Sequence, residues 1–198
     1  SATIDIGNAA SVIGGADGLN FDSTSDALVL DGLTYTFPVG GATIMVGDNT
    51  DISAVYTGAC AYSAFTDLLG NCGTGSSVGV GGSGVTAAMS YAFDSGFSLA
   101  GGISSTQITD ATPGVVTGLL TEEGTDTYGI EAAYTADSWG VSVAYADDET
   151  NTYWGINGTY AFDLATLSVG VESEDNGTAT AEGFFVGLSF PEVGPGSF

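Results

Sequence analysis

The side chains of this sequence that carry charge at neutral pH are all carboxylates: 24 Asp and Glu stand among 198 residues with no Lys, Arg or His, a formal net charge of −24. Without imidazole there is no Ser-His-Asp or Cys-His relay. Without Lys there is no Schiff base or P-loop, and without Arg no bidentate phosphate clamp. Nucleic acid is excluded as a partner, because neutralising phosphates supplies most of that affinity and the sign here is wrong. Carboxylates alone can coordinate hard divalent cations and set up a field that attracts cations and repels anions.

Within that chemistry a few residues stand out. Asp48-Asn49-Thr50-Asp51 places carboxylates and carbonyl oxygens at short spacing, and Gly14-Gly15-Ala16-Asp17-Gly18 is similar to glycine-aspartate calcium repeats. The plainer reading of each is an Asx turn in a solvated loop. No resident cofactor is expected, only weakly bound calcium or magnesium at Asp48 and Asp51 and at other acidic loops. Glu131 and Glu172 differ from the other carboxylates because they lie inside regular segments, on a face otherwise made of small residues. Two carboxylates can run glycoside hydrolysis, but nothing in the spacing brings a specific pair together, and no covalent catalysis is expected. Cys60 and Cys72, with no His and no CxxC spacing, read as a disulfide; closing that loop is worth about 3 kcal/mol and implies an oxidising compartment. Two unpaired buried thiols are the alternative.

The elements that must position these groups are strands. Hydrophobic residues make up 43% of the chain and aromatics 11%, too much for acidic disorder. From Gly84 onward the sequence alternates with a period of two between turns rich in Asp, Asn, Ser and Gly. Val85, Met89, Tyr91 and Phe93 oppose Thr86, Ala88 and Ser90, and Trp139, Val141, Val143 and Tyr145 oppose Gly140, Ser142, Ala144 and Ala146. Leu33 to Val46, around Pro38-Val39-Gly40-Gly41, reads as a further hairpin. The expected fold is all-β, an antiparallel up-and-down meander of about eight to ten strands in a single domain over 1–198. An irregular segment covers 1–26, the meander covers 27–198, and long loops fall near 48–83 and 106–124. A short helix is expected within Tyr56 to Leu69, and no stretch reads as a transmembrane helix.

Two β architectures fit the alternation. A soluble fold would bury the bulky face and cover the other with large polar and charged residues. Here that other face is Gly, Ala, Ser and Thr, and the carboxylates gather in connections such as Asp147-Asp148-Glu149. Bulky apolar residues on one face, aromatics near strand ends and a small or polar opposite face make the pattern of a transmembrane β-barrel. Tyr91, Phe93, Tyr134, Trp139, Tyr160 and Phe162 are its candidate aromatic girdle, and Glu131 and Glu172 its candidate pore-lining groups, setting a cation bias.

Several runs, among them LDGLTYTFPVGGATIMVG at Leu30 to Gly47, YSAFTDLLGNCG at Tyr62 to Gly73, GLLTEEGTDTYGIEAAYTADSWGVSVAYA at Gly118 to Ala146 and GFFVGLSFPEVGPG at Gly183 to Gly196, resemble the C-terminal barrel portion of cyanobacterial outer-membrane porins of the carbohydrate-selective type that carry a surface-layer-homology domain. The resemblance implies an outer-membrane location, lipid as a partner, trimers or a complementary barrel segment, and passive diffusion of ions and small hydrophilic solutes. Nothing here matches the surface-layer-homology domain itself. The competing expectation, from another class, is an extracellular structural β protein whose chains pair edge to edge into a fibre or coat held by divalent ions.

Overall fold

The structure, a computed structural model, describes residues 2–6, 28–57, 84–105, 118–121 and 125–190. Ten strands form one antiparallel sheet in sequence order: β1 (Ala2–Ile6), β2 (Leu28–Val39), β3 (Ala42–Asp48), β4 (Val85–Ala92), β5 (Phe97–Ser105), β6 (Asp126–Thr135), β7 (Trp139–Asp147), β8 (Thr152–Ala161), β9 (Thr166–Asp175) and β10 (Thr180–Ser189). Every strand pairs with its sequence neighbour, the meander expected from alternation without crossover helices. One expectation is corrected at the N-terminus. The segment 1–26 is not wholly irregular, since Ala2–Ile6 pairs with Leu28–Leu33 and adds an edge strand. That strand is too short for its own alternation to be distinctive.

A second correction concerns the helix placed within Tyr56 to Leu69. The only helical turn among the described residues is a 3-10 turn at Ile52–Val55, and Tyr56 after it is extended (φ −75°, ψ 150°). The rest of that stretch lies outside the described residues, as do Cys60, Cys72 and the Gly14–Gly18 run. No helix among the described residues is long and apolar enough to cross a membrane.

Turn chemistry fixes the register. Gly40 and Gly41 both have positive φ (55° and 89°), the conformation of a two-residue type I′ hairpin turn. Gly96 (φ 85°) closes the β4–β5 turn, its N–H donating to the Phe93 carbonyl. Its own carbonyl accepts from the N–H of Thr135 at 2.9 Å. A Cβ there would collide with the Thr135 carbonyl oxygen. Gly96→Ala should therefore cost about 1–3 kcal/mol, from strained φ and a displaced β5–β6 end. Chemical denaturation compared with the open Gly177→Ala site checks it: equal losses at both positions would refute the close-approach account.

The distribution of side chains is inverted relative to a soluble domain. Along β7, Trp139, Val141, Val143 and Tyr145 are exposed while Gly140, Ser142, Ala144 and Ala146 are buried. The same holds on β4, where Val85 and Met89 are exposed against buried Thr86 and Ala88, and on β8, where Trp154 and Ile156 are exposed against buried Tyr153, Gly155 and Asn157. The bulky face is thus the outer one, and the face of small residues is turned inward. On β10 the outward side chains are more exposed still, Phe184 at 85%. Among the described residues β1 and β10 are not paired with each other, so each is an edge of the ten-stranded sheet.

Candidate functional site

Register places Glu131 and Glu172 in one lateral row on the inward face. Ala100 pairs with Glu131, Glu131 with Ala144, Ala144 with Gly155, Gly155 with Glu172, and Glu172 with Gly183. Two carboxylates three strands apart, about 14 Å at about 4.8 Å per strand, are therefore separated only by alanine and glycine. Glu131 is 2% exposed, and its Oε2 accepts from the backbone N–H of Thr57 at 2.7 Å. Glu172 is half-buried and lies over Gly183, where a Cβ would come within 2.9 Å of its Oε1.

From β3 to β8 the next inward row toward the acidic end of the sheet is apolar, and it ends on β9 at Glu174. Met45, Ala88, Ala146 and Tyr153 belong to it by register and form the buried cluster with Ile52, which is fully buried. Val55 and Tyr56 pack against the same cluster. The segment Asp51–Thr57 between β3 and β4 is consequently folded back across the inward face as a strap. It is tied at one end by Thr86, whose hydroxyl donates to the Thr50 carbonyl at 2.5 Å, and at the other by the Thr57–Glu131 bond. Burial, and after it the Glu131 carboxylate, push the Tyr56 hydroxyl well above the ordinary phenol range, so it stays protonated. Ile52→Ala should release the strap at a local cost of about 2–5 kcal/mol. Amide exchange should then accelerate at Thr57 while β7 and β8 keep their protection; uniform loss of protection throughout the sheet would show that Ile52 holds the whole fold instead.

Sequence reasoning did not find the strap, whose only signal is Ile52-Ser53-Ala54-Val55-Tyr56, a short apolar patch inside an acidic loop. Asp48 and Asp51, by contrast, gather no third ligand. Asp48 ends β3 at an exposed position, Asp51 precedes the 3-10 turn, and no three Asp, Glu or Cys side chains among the described residues are placed to share a metal ion.

The candidate girdle residues sit at one rim, that of the tight β4–β5, β6–β7 and β8–β9 turns. Tyr91 and Phe93 pack with ring centroids 4.7 Å apart, Tyr134 and Trp139 at 5.2 Å, and Tyr160 and Phe162 at 4.7 Å. All are exposed except Tyr134, which is half-buried. Tyr128, Tyr145 and Trp154 make a second outward aromatic set nearer the opposite rim, where Asp147, Asp148, Glu149 and Asp175 cluster. Tyr145 and Trp154 face each other in register, as do Trp139 and Tyr160. The two sets are six positions apart on the strands, about 20 Å at about 3.3 Å per residue.

No family model and no curated protein matches this sequence. Among solved structures, the chain is similar to mutant forms of the Rhodopseudomonas blastica porin. One is 16% identical with a TM-score of 0.43, covering 85% of this chain and 70% of that chain. Another is 15% identical with a TM-score of 0.41, covering 86% and 71%. Overlap this loose assigns neither closure nor residue roles.

Proposed function

We propose that this chain is the wall, or a large part of the wall, of a porin-like outer-membrane β-barrel that passes ions and small hydrophilic solutes by diffusion with a cation bias, and that it performs no covalent chemistry. The observation that carries the reading is the inverted sheet: an outer surface of Val, Ile, Leu, Tyr, Trp and Phe around an inner surface of Gly, Ala, Ser and Thr. In water such a continuous apolar face is an aggregation surface; in a bilayer it is the lipid-facing band. The later strands, at 9 to 10 residues, match the length a tilted strand needs to cross the hydrocarbon. Paired aromatics at two heights fit the two interfaces. The tight-turn rim fits the side of short connections, and the acidic rim the side of long outer loops.

Cation bias follows from the Glu131–Glu172 row on the inner surface of a chain with no fixed positive side chain. The strap narrows the space beside that row. The open edges at β1 and β10 fit completion by further copies or by a complementary segment. The experiment is reconstitution into planar bilayers under a salt gradient. Discrete conductance with a reversal potential on the cation side is expected; solubility as a monomer without detergent, together with no conductance, would overturn the reading.

A further inference from the structure

The inward face carries polar atoms that the described residues do not satisfy. Glu131 Oε1, Tyr56 Oη, Ser98 Oγ and Asn157 Nδ2 are buried without a hydrogen-bond partner among the described residues. Three of the four are oxygens on or beside Glu131. The second carboxylate oxygen belongs to Glu131 itself, Tyr56 is next to the Thr57 that donates to it, and Ser98 is its diagonal cross-strand neighbour, two positions from Ala100 on β5. Diagonal neighbours lie about 7–8 Å apart at the backbone, within reach of a long side chain. Directly opposite Glu131 stand only Ala100 and Ala144, which leave room and offer no hydrogen bond.

A carboxylate removed from water needs a countercharge or a full set of donors. Among the described residues Glu131 has one backbone donor, and no side chain anywhere in the sequence can supply positive charge, because Lys, Arg and His are all absent. No side chain of the sequence can compensate it, and among the described residues the unpartnered atoms nearest the carboxylate are oxygens, the donors preferred by hard cations.

We propose that a hard cation binds at Glu131, with Glu131 Oε1 and the Tyr56 and Ser98 hydroxyls as the protein oxygens, and that it clamps the Asp51–Thr57 strap to β6. This site differs from Asp48 and Asp51, which among the described residues belong to no group of three metal-ligating side chains. It does not depend on conduction, so its test is separate from that of the channel.

The test uses the full chain in detergent solution, stripped with chelator, with calcium as the probe and excess sodium chloride to screen the solvated loops. Isothermal titration should find one calcium site that survives the salt. Glu131→Gln should abolish it, Tyr56→Phe should weaken it severalfold, and Glu172→Gln should leave it intact. Amide exchange at Thr57 should slow on calcium addition in the unaltered chain. Should Glu131→Gln fail to fold, Tyr56→Phe and Ser98→Ala, which remove neutral oxygens, carry the test. Calcium binding that disappears in salt, or that is the same in Glu131→Gln or in both hydroxyl variants, would overturn the proposal. Proton uptake at Glu131 with no calcium site would also overturn it, by showing that a proton supplies the missing charge.

Discussion

Placing arginine at Val143 and Ile156 together should prevent stable insertion while leaving the sheet free of any new clash. The two residues face each other on β7 and β8, between the Trp139–Tyr160 and Tyr145–Trp154 aromatic pairs, and are 47% and 44% exposed. Because both side chains already point outward, a soluble protein would accept the change within about 0.5 kcal/mol and gain solubility. In a lipid-facing band each arginine near the midplane costs about 2–4 kcal/mol. The pair then costs about 4–8 kcal/mol, a large fraction of the 5–15 kcal/mol that stabilises a typical domain. Folding into phospholipid vesicles, followed by tryptophan fluorescence and protease protection, measures this directly. The same pair at Ser142 and Asn157, also in register but on the inward face, is the control for overpacking. Unchanged or improved yield of the outward variant would remove lipid from the account of this fold.

Charge reversal at Glu172 should move the selectivity further than any other single substitution on the inner face. A unit charge about 6 Å from a passing ion is worth about 0.7 kcal/mol in a water-like dielectric, roughly threefold for a cation and threefold in the opposite sense for an anion. Neutralising Glu172 should therefore lower the cation-to-anion permeability ratio severalfold, up to about tenfold before screening, and Glu172→Lys should carry it further toward anions. The effect should shrink as salt shortens the Debye length below the 14 Å or so between the two carboxylates. Glu131→Gln should act less strongly, because Glu131 is almost fully buried beneath the strap and one of its oxygens already accepts the Thr57 N–H. Reversal potentials across a salt gradient give both ratios, and a Glu172→Lys protein with unaltered selectivity would dissociate this row from permeation.

How much of this was legible before the fold was known differs from element to element. The hairpin at Gly40-Gly41 could be read because two adjacent glycines between alternating segments admit the positive φ that a type I′ turn needs. β6 to β9 could be read because side chains on a strand alternate strictly, so Trp139 to Ala146 exposes two compositions whatever the sheet packs against. β1 was missed because five residues paired far from their own turn carry no register signal. The strap was missed because Ile52 and Tyr56 owe their burial to an inward row with side chains from β3, β4, β7 and β8, a row that exists only once five registers are set.

Sequence alone determined the chemistry and the alternation: a chain without a basic side chain can repel anions and hold cations but cannot run the common nucleophilic machinery, and period-two patterning with short turns can only make an antiparallel sheet. Tertiary structure decided which face is outside and which residues meet across strands. Alternation is symmetric between the two faces of a strand, and only the assembled sheet, with its small-residue face buried and the strap laid against it, breaks that symmetry. The same step turned Glu131 and Glu172, 41 positions apart in the chain, into members of one row.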